Sequence, residues 1–286
     1  MIQAILTHPG SAHKDEFLAC CLLIAVHRAP VLRREPTTDD LNDPSIIVVD
    51  VGGEHDPARM NFDHHQFPAD APPVCALSLV MMHLGIYEDA RMFCEWLEPA
   101  EWFDTKGPVK TAEWLGVPRE SLSKLQSTID VTILRRFAAS QKLEPGHLIW
   151  ELMHLVGNDL LYYLRTMRER IQLLENHLCF WDMEKNGERF QAVFLPRMDS
   201  SIDDPSGAMS RYLRTIGKEQ EIVAMIYPDR RGSGYGLSRH NDHPRLDFTL
   251  IEHHDDVHFA HPRGFVAKTT ATEIQRLREL LQASWV

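Results

Sequence analysis

The feature that most constrains the fold is a strand–helix–strand pattern near the start of the chain. Residues 3–7 form a short apolar run that ends at His8, and residues 12–27 follow as an apolar stretch of helical length. A second apolar run, Ile46-Ile47-Val48-Val49, ends at Asp50. A continuous β-branched run is typical of a strand buried on both faces, as in a parallel sheet. The pattern therefore predicts an α/β domain built on parallel strands.

Local signals predict the remaining elements and the domain boundary. Ser11 is the expected N-cap of the first helix, because its hydroxyl could accept a hydrogen bond from a free backbone N–H. Residues 33–44 are polar and predict a loop, residues 76–84 a second helix, and residues 109–178 a largely helical bridge. Strands are then expected at 190–195, 222–227, 246–251 and 257–259, with a hairpin turn at 232–236 and a closing helix at 272–282. We therefore predict one domain with its bridge at 1–185 and a smaller mixed α/β domain at 186–286.

Charge and composition exclude several classes of protein. The formal net charge is −11, which argues against a protein that coats duplex DNA, because such binding requires cations that displace counterions. The sequence has neither an apolar run near ~20 residues nor a basic, then apolar, leader. We therefore expect no membrane association and a cytoplasmic location. The cysteines are odd in number, and they lack the paired spacing of a metal site. We therefore predict that they are reduced residues of the core. They are Cys20, Cys21, Cys75, Cys94 and Cys179.

Histidine and aspartate side chains fall where the predicted strands and helices end. Ligands of an open α/β sheet bind outside the carboxyl ends of its strands, and His8 and Asp50 occupy such positions. His13 and Asp15 lie at the start of the intervening helix. Asp63, His64 and His65 lie at a third short apolar segment. Imidazole together with carboxylate suits Mn²⁺, Fe²⁺ or Zn²⁺ better than Mg²⁺, which prefers oxygen ligands. Singly, each residue is more often structural, but together they predict a metal site.

Three segments in this order resemble a known family. THPGSAHKDE, VVDVGGEHDP and FDHHQF are similar to the melanocyte-proliferating-gene-one family of metal-dependent hydrolases, relatives of the DHH phosphoesterase superfamily. The resemblance is specific over residues 5–67, and ALSLVMMHLG and the closing HPRGF are also similar. It implies a DHH phosphoesterase-like parallel-sheet domain, a two-metal centre and a second domain that grips substrate. It also implies hydrolysis of phosphoesters, by 3'-5' exonucleolytic cleavage of oligonucleotides or on small nucleotides.

The resemblance also implies which residues bind two divalent cations, with Mn²⁺ as the expected metal. One cation would be held by His8, His13 and Asp50, and the other by Asp15, Asp50 and His64. The last acidic ligand of the superfamily follows the next helix, where Asp104 is the candidate and Glu98 and Glu101 lie close by. Most superfamily members carry an aspartate where this chain has His13, which leaves the identity of the metal open.

The expected mechanism combines the cations with four further residues. Two cations would activate a bridging hydroxide, while His65 would donate a hydrogen bond to the phosphate or the leaving group and Asp63 would orient the imidazoles. Arg239 and Arg263 are the candidates for binding the phosphate of the substrate. Many DHH exonucleases bind substrate with a glycine-rich loop that ends in histidine. The C-terminal part of this chain lacks that loop and has the segments GSGYGLSRHN and AHPRGF instead.

Two other functions stay open at this point. The same cation cage could hydrolyse inorganic pyrophosphate or another small phosphoanhydride, and a non-catalytic metal-binding scaffold would carry the same motifs. A second histidine cluster, at residues 253–261, reads more simply as an exposed polar turn than as another metal site. The sequence leaves homo-oligomer formation open.

Overall fold

The computed structural model describes residues 1–124, 127–199 and 202–286. They form two compact units, Met1–Arg165 and Thr166–Val286, and the division falls within a long helix, whereas the sequence placed a domain boundary after residue 185. Each unit combines a mixed six-stranded sheet with helices, so the α/β class predicted from the sequence is confirmed. The specific domain arrangement of a DHH phosphoesterase stays a prediction.

The sheet of the first unit has a parallel centre and antiparallel edges. Its strand order is β4-β5-β3-β1-β2-β6, in which β1 pairs in parallel with β2 and β3, and β3 pairs in parallel with β5. The two edge strands, β4 and β6, are antiparallel to their neighbours. The strand bounds are β1 Ala4–Thr7, β2 Val31–Arg33, β3 Ile46–Val49, β4 His55–Asp56, β5 Asn61–Phe62 and β6 Lys142–Leu143.

The first helix of this unit is buried almost all round. It is α1, Lys14–His27, and it has no polar face, as expected for a helix that packs inside a domain on all sides. The other helices are α2 Thr38–Asn42, α3 Ala76–His83, α4 Tyr87–Phe93, α5 Leu97–Leu115, α6 Arg119–Lys124, α7 Thr128–Ala138 and α8 Leu148–His177. Where α8 passes α1, a Cβ atom at Gly157 would lie 2.0 Å from the carbonyl oxygen of Cys21. Only glycine permits this close approach.

The second unit is a sheet with a helix on each face. Its strand order is β11-β12-β10-β9-β8-β7, and only the β8–β9 pair within it is parallel among the described strands. Side chains of α10 belong to one apolar cluster on the sheet and side chains of α9 to another. The bounds are β7 Cys179–Lys185, β8 Glu188–Phe194, α9 Pro205–Thr215, β9 Ile222–Pro228, β10 Tyr235–Arg239, a 3₁₀ helix Phe248–Ile251, β11 Val257–Ala260, β12 Val266–Thr269 and α10 Ile274–Ala283.

Several local predictions are confirmed and three are wrong. The hairpin is confirmed, because β9 and β10 pair antiparallel across the turn. The N-cap of α1 is His13 and not Ser11. The expected strand at 246–251 is wrong, because the Asp247 side chain accepts a hydrogen bond from the N–H of Thr249 and begins a 3₁₀ helix. The loop expected at 33–44 instead contains the end of β2 and the short helix α2.

Cysteine burial follows the sequence prediction at four of the five positions. Cys20, Cys21, Cys75 and Cys94 are buried free thiols, whereas Cys179 is an exposed free thiol on the first strand of the second unit. Among the described residues, none of the helices has the length and apolar character needed to cross a membrane.

Candidate metal centre

The carboxyl ends of three parallel strands bring histidine and aspartate side chains together. His8 follows β1, Asp50 follows β3, and residues 63–65 follow β5. Asp50 has a left-handed backbone, with φ +58°, and its N–H donates to the carbonyl of Phe62 at 3.0 Å. Residues other than glycine rarely adopt this conformation, and where they do it often marks a functional site.

The start of α1 supplies two more side chains. His13 is the N-cap, its N–H donates to both oxygens of Glu16 at 2.9 and 2.7 Å, and a reciprocal capping box closes the first turn. This arrangement satisfies a backbone donor that would otherwise lack a partner at the helix start. It also fixes Asp15, which is 2% exposed and lies in the first turn between His13 and Glu16.

A chain of short distances connects the six predicted ligands. His8 Nε2 lies 3.6 Å from Asp50 Oδ2, and Asp50 Oδ1 lies 3.1 Å from His64 Nε2. The same His64 nitrogen lies 3.0 Å from Asp104 Oδ2, and His13 Nδ1 lies 3.9 Å from Asp104 Oδ1. Donor atoms fall within 4.8 Å of one another in three groups, which are His8, His13, Glu16 and Asp50; Asp50, His64 and His65; and His13, Asp15 and Asp104.

The polar atoms of this cluster lack the hydrogen bonds that buried groups normally make. Both carboxylate oxygens of Asp15, Oδ1 of Asp50 and Nε2 of His64 are buried without a hydrogen-bond partner. Most buried polar side-chain atoms in proteins are hydrogen-bonded, and an exception calls for an explanation such as an ion. Carboxylate oxygens and imidazole nitrogens that converge without hydrogen-bond geometry fit the donor set of a divalent transition metal.

Hydrogen bonds on the far side of the rings orient two of the candidate histidines. His8 Nδ1 donates to the carbonyl of Pro9 at 2.8 Å, which turns Nε2 toward Asp50. His65 Nδ1 lies 2.6 Å from Asp63 Oδ1, and Asp63 Oδ2 accepts a hydrogen bond from the N–H of Gly53 at 2.6 Å. A second partner of this kind fixes the tautomer and orientation of a functional histidine.

Charge in the cluster shifts three pKa values. The carboxylate of Glu16, helped by the carbonyl of Pro9 and opposed by burial, raises the pKa of His8 to about 9. Burial lowers the pKa of His64, but the carboxylates of Asp104 and Asp50 outweigh it and raise that pKa to about 10. Burial, and then the charges of Asp50 and Asp104, raise the pKa of Asp15 well above its ordinary value. The excess of negative charge would be neutralised by a bound cation.

Two residues at this edge were not singled out from the sequence. Glu16 is fully buried and its Oε1 lies 3.3 Å from His8 Nε2. Arg33, also buried, donates from Nη2 to the carbonyl of Ser11 at 3.0 Å and stacks over the ring of Phe137. The spacing from His13 to Glu16 is that of a capping box, but histidine is not a usual first member of that motif.

A cavity of about 340 Å³ opens at the cluster. Its lining consists of His8, His13, Asp50, Val51, Gly52, Asp63 and His65. The side chain of His65 is 63% exposed, so it faces solvent while Asp63 holds its inner nitrogen. The cavity therefore presents both the candidate cation-binding atoms and an oriented imidazole to an incoming molecule.

The predicted phosphate-binding arginines belong to the second unit. Arg239 ends β10, its Nη1 donates to Asp242 at 2.9 Å, and its Nε is buried without a partner. The N–H of Arg263 donates to His261 Nδ1 at 3.1 Å. In the other predicted histidine cluster, residues 252–256 form turns, and His254 contacts Arg276, which pairs with Asp256.

Fold and side chains together define an α/β protein with a candidate centre for divalent cations at the carboxyl edge of a parallel sheet. Comparison with known proteins adds a family match over part of the chain. Residues 4–72 match the MYG1_exonuc model, described as uncharacterised protein family (UPF0160). The MYG1 exonucleases of Bos taurus and Rattus norvegicus are each 48% identical to this chain over 64 residues, and that of Homo sapiens is 47% identical over 62 residues.

The resemblance predicted from the motifs is therefore confirmed over residues 4–72, and the relatives match only a part of the chain. The matching segment covers 21% of this chain and 16% of the length of each of these relatives. The family match spans the residues of the centre that follow β1, β3 and β5 or begin α1, whereas Asp104 lies beyond it.

Proposed function

We propose that this chain is a metal-dependent phosphoester hydrolase that removes nucleotides from the 3' ends of oligonucleotides or cleaves small nucleotides. The observation that carries the proposal is the pair of buried carboxylates of Asp15 and Asp50 beside His64, in which both oxygens of Asp15 and Oδ1 of Asp50 make no hydrogen bond. Such an arrangement is costly unless a cation compensates it. The relatives that match the same segment are named exonucleases, which supports a phosphodiester as substrate.

The proposed ligands divide between two cations, with Mn²⁺ as the expected metal. His8, His13 and Asp50 would hold one, and Asp15, Asp50 and His64 would hold the other, with Asp104 beside His13 and His64 as the last acidic ligand. The distances support Asp104 over its neighbours, because its oxygens lie 3.0 and 3.9 Å from two histidine nitrogens. Glu98 and Glu101 instead pair with Arg91.

Bound cations supply positive charge to the phosphate oxygens and make a water nucleophilic near neutral pH. The chain's own residues orient the substrate and move protons. His65, held through Nδ1 by Asp63, presents its Nε2 to the cavity, and in its imidazolium form it can donate the Nε2 proton to the leaving oxygen while Nδ1–H stays on Asp63. Burial raises the pKa of Asp63, but hydrogen bonds from His65 and Gly53 outweigh it and lower that pKa, so Asp63 stays a carboxylate and holds the ring in this orientation. Arg239 and Arg263 would bind the phosphate with guanidinium hydrogen bonds.

The direct test is Asp50→Asn, which keeps the shape of the side chain and tolerates the left-handed backbone. We expect a loss of at least about 100-fold in Mn²⁺-dependent shortening of a 5'-labelled single-stranded RNA, because ligand and bridging charge are lost together. Asp39→Ala is the matched control, because Asp39 is an exposed aspartate of the same unit outside the donor groups. Its activity should equal that of the wild type, and far-ultraviolet circular dichroism should be native in both variants.

Other substrates are separated in the same experiment. Release of orthophosphate from pyrophosphate, with the RNA left intact, would replace the exonuclease by a phosphoanhydride hydrolase. Tight Mn²⁺ binding without turnover of either substrate would leave a metal-binding scaffold. Full activity of Asp50→Asn on RNA would remove the metal centre from the mechanism altogether.

A further inference from the structure

The helix that delivers Asp104 is broken directly beyond it. Helix α5 runs from Leu97 to Leu115, but Gly107 has φ +76° and Pro108 follows, so the helical backbone is interrupted there. Proline and a left-handed glycine end helical hydrogen bonding at such a point. The short segment 97–106 therefore depends on its own contacts to hold Asp104 near His64 and His13.

Glu101 provides those contacts one turn before Asp104. It is 1% exposed, and its Oε1 accepts hydrogen bonds from Ser78 Oγ at 2.6 Å and Tyr87 Oη at 2.8 Å. Its Oε2 accepts from Arg91 Nη1 at 2.9 Å. Ser78 belongs to α3, and Tyr87 and Arg91 belong to α4, so one carboxylate ties this segment to two other helices.

The spacing links this anchor to the metal centre. Residues three apart on a helix lie on the same face, so Glu101 and Asp104 share the side of α5 that faces the interior. A carboxylate with three donors, one of them charged, is held more firmly than one with solvent partners. A small displacement of Glu101 would shift Asp104 relative to its histidine neighbours by a comparable amount.

We propose that Glu101 is a positioning residue, which holds Asp104 in the geometry that the second cation requires. The inference rests on the proposed metal centre and goes beyond it, because Glu101 itself lies outside the three donor groups found among the described residues. Residues that orient metal ligands from behind typically account for about 10–100-fold in metal affinity.

The test measures Mn²⁺ affinity, by the electron paramagnetic resonance of the free ion, in full-length protein. Glu101→Gln keeps the volume and the Ser78 and Tyr87 contacts but removes the buried carboxylate that pairs with Arg91, which then has only the exposed Glu98 as its charged partner. The substitution should weaken binding of the affected Mn²⁺ by about 10–100-fold. Glu98→Gln is the matched control, because Glu98 lies on the same helix, pairs with the same arginine at 3.2 Å and is 44% exposed. Its affinity should stay within about twofold of the wild type.

A double-mutant cycle separates positioning from general stabilisation. If Glu101 acts through Asp104, then Glu101→Gln added to Asp104→Asn should change the remaining affinity by less than about twofold, since the residue it positions is already lost. A further loss of tenfold or more in the double variant would show that Glu101 acts elsewhere and would overturn the inference. Thermal unfolding without metal is recorded for each variant.

Two further outcomes are distinguishable. A wild-type protein that binds no Mn²⁺ overturns the metal centre and the inference with it, whereas a wild type that binds tightly while Glu101→Gln binds equally well overturns the inference alone. If Glu101→Gln does not fold, Tyr87→Phe removes one hydrogen bond to the same carboxylate and keeps the ring. It should weaken Mn²⁺ binding several-fold, and an unchanged affinity would count against the positioning role.

Discussion

Loading the metal-free protein with Mn²⁺ should release protons from two histidines. The pKa of His8 is raised to about 9 and that of His64 to about 10, so both imidazoles are protonated at pH 7 in the absence of metal. An imidazole must be neutral to bind a metal. Filling both sites at pH 7 should therefore release about two protons from these side chains.

The same shifts give the sign of the pH dependence. Each released proton makes the apparent affinity rise about tenfold per pH unit below the pKa of its group, so Mn²⁺ should bind much more tightly at pH 8 than at pH 7. The protons also stabilise the metal-free fold, because both folded-state pKa values lie above 6.5, the ordinary pKa of a histidine. That stabilisation is fully present below pH 6.5 and is lost as the pH rises through about 9 and 10.

Isothermal titration calorimetry in buffers of different ionisation enthalpy measures the proton count directly. The slope of the observed enthalpy against buffer enthalpy should correspond to about two protons for the wild type. Glu16→Gln removes the largest cause of the raised His8 pKa and should lower the count toward about one. A slope near zero at pH 7, with Mn²⁺ bound, would refute the assignment of His8 and His64 as partners of carboxylates that the cation displaces.

Two further predictions concern stability. Asp15→Asn should raise the free energy of unfolding of the metal-free protein by roughly 1–3 kcal/mol, because it removes a carboxyl group whose ionisation is opposed by burial and by the charges of Asp50 and Asp104. Mn²⁺ should no longer stabilise the variant as it does the wild type, and urea unfolding with and without Mn²⁺ checks both. Gly157→Ala should destabilise the fold by about 1–3 kcal/mol, since the added Cβ would lie 2.0 Å from the Cys21 carbonyl oxygen. A gain in stability, as alanine gives in an open helix, would contradict the close helix crossing.

The sequence predicted the ends of the strands well, because a parallel strand that is buried on both faces has an uninterrupted apolar sequence. The run before Asp50 coincides with β3, Ile46–Val49, and the run before His8 with β1, Ala4–Thr7. Asp104 was the candidate from the sequence, with Glu98 and Glu101 close by, and the structure adds distances that support this choice. All three lie within two turns of one helix, and only their phase relative to α3 and α4 decides which faces the histidines.

The errors have local physical causes. Ser11 satisfied the usual rule for an N-cap, but the reach of Glu16 back to the N–H of His13 moved the helix start by two residues. The apolar run at 246–251 is compatible with either a strand or a 3₁₀ helix. The side chain of Asp247 favours the 3₁₀ helix, because it accepts a hydrogen bond from the N–H of Thr249. Glu16 was missed because histidine is not a usual first member of a capping box. Arg33 was missed because its contacts, with Ser11 and Phe137, lie far along the chain, where no spacing rule reports them.

The left-handed backbone of Asp50 places two separate demands on one position. The residue must adopt a left-handed backbone conformation directly after β3, and it must also present a carboxylate to His8 and His64. Fewer replacements are therefore acceptable than the chemistry of a metal ligand alone would allow. Glycine would satisfy the path of the chain and abolish the ligand, whereas glutamate would keep the acid and oppose the turn. The two demands can therefore be separated by substitution, and the backbone restricts the residues acceptable at this position in addition to any restriction from the proposed ion.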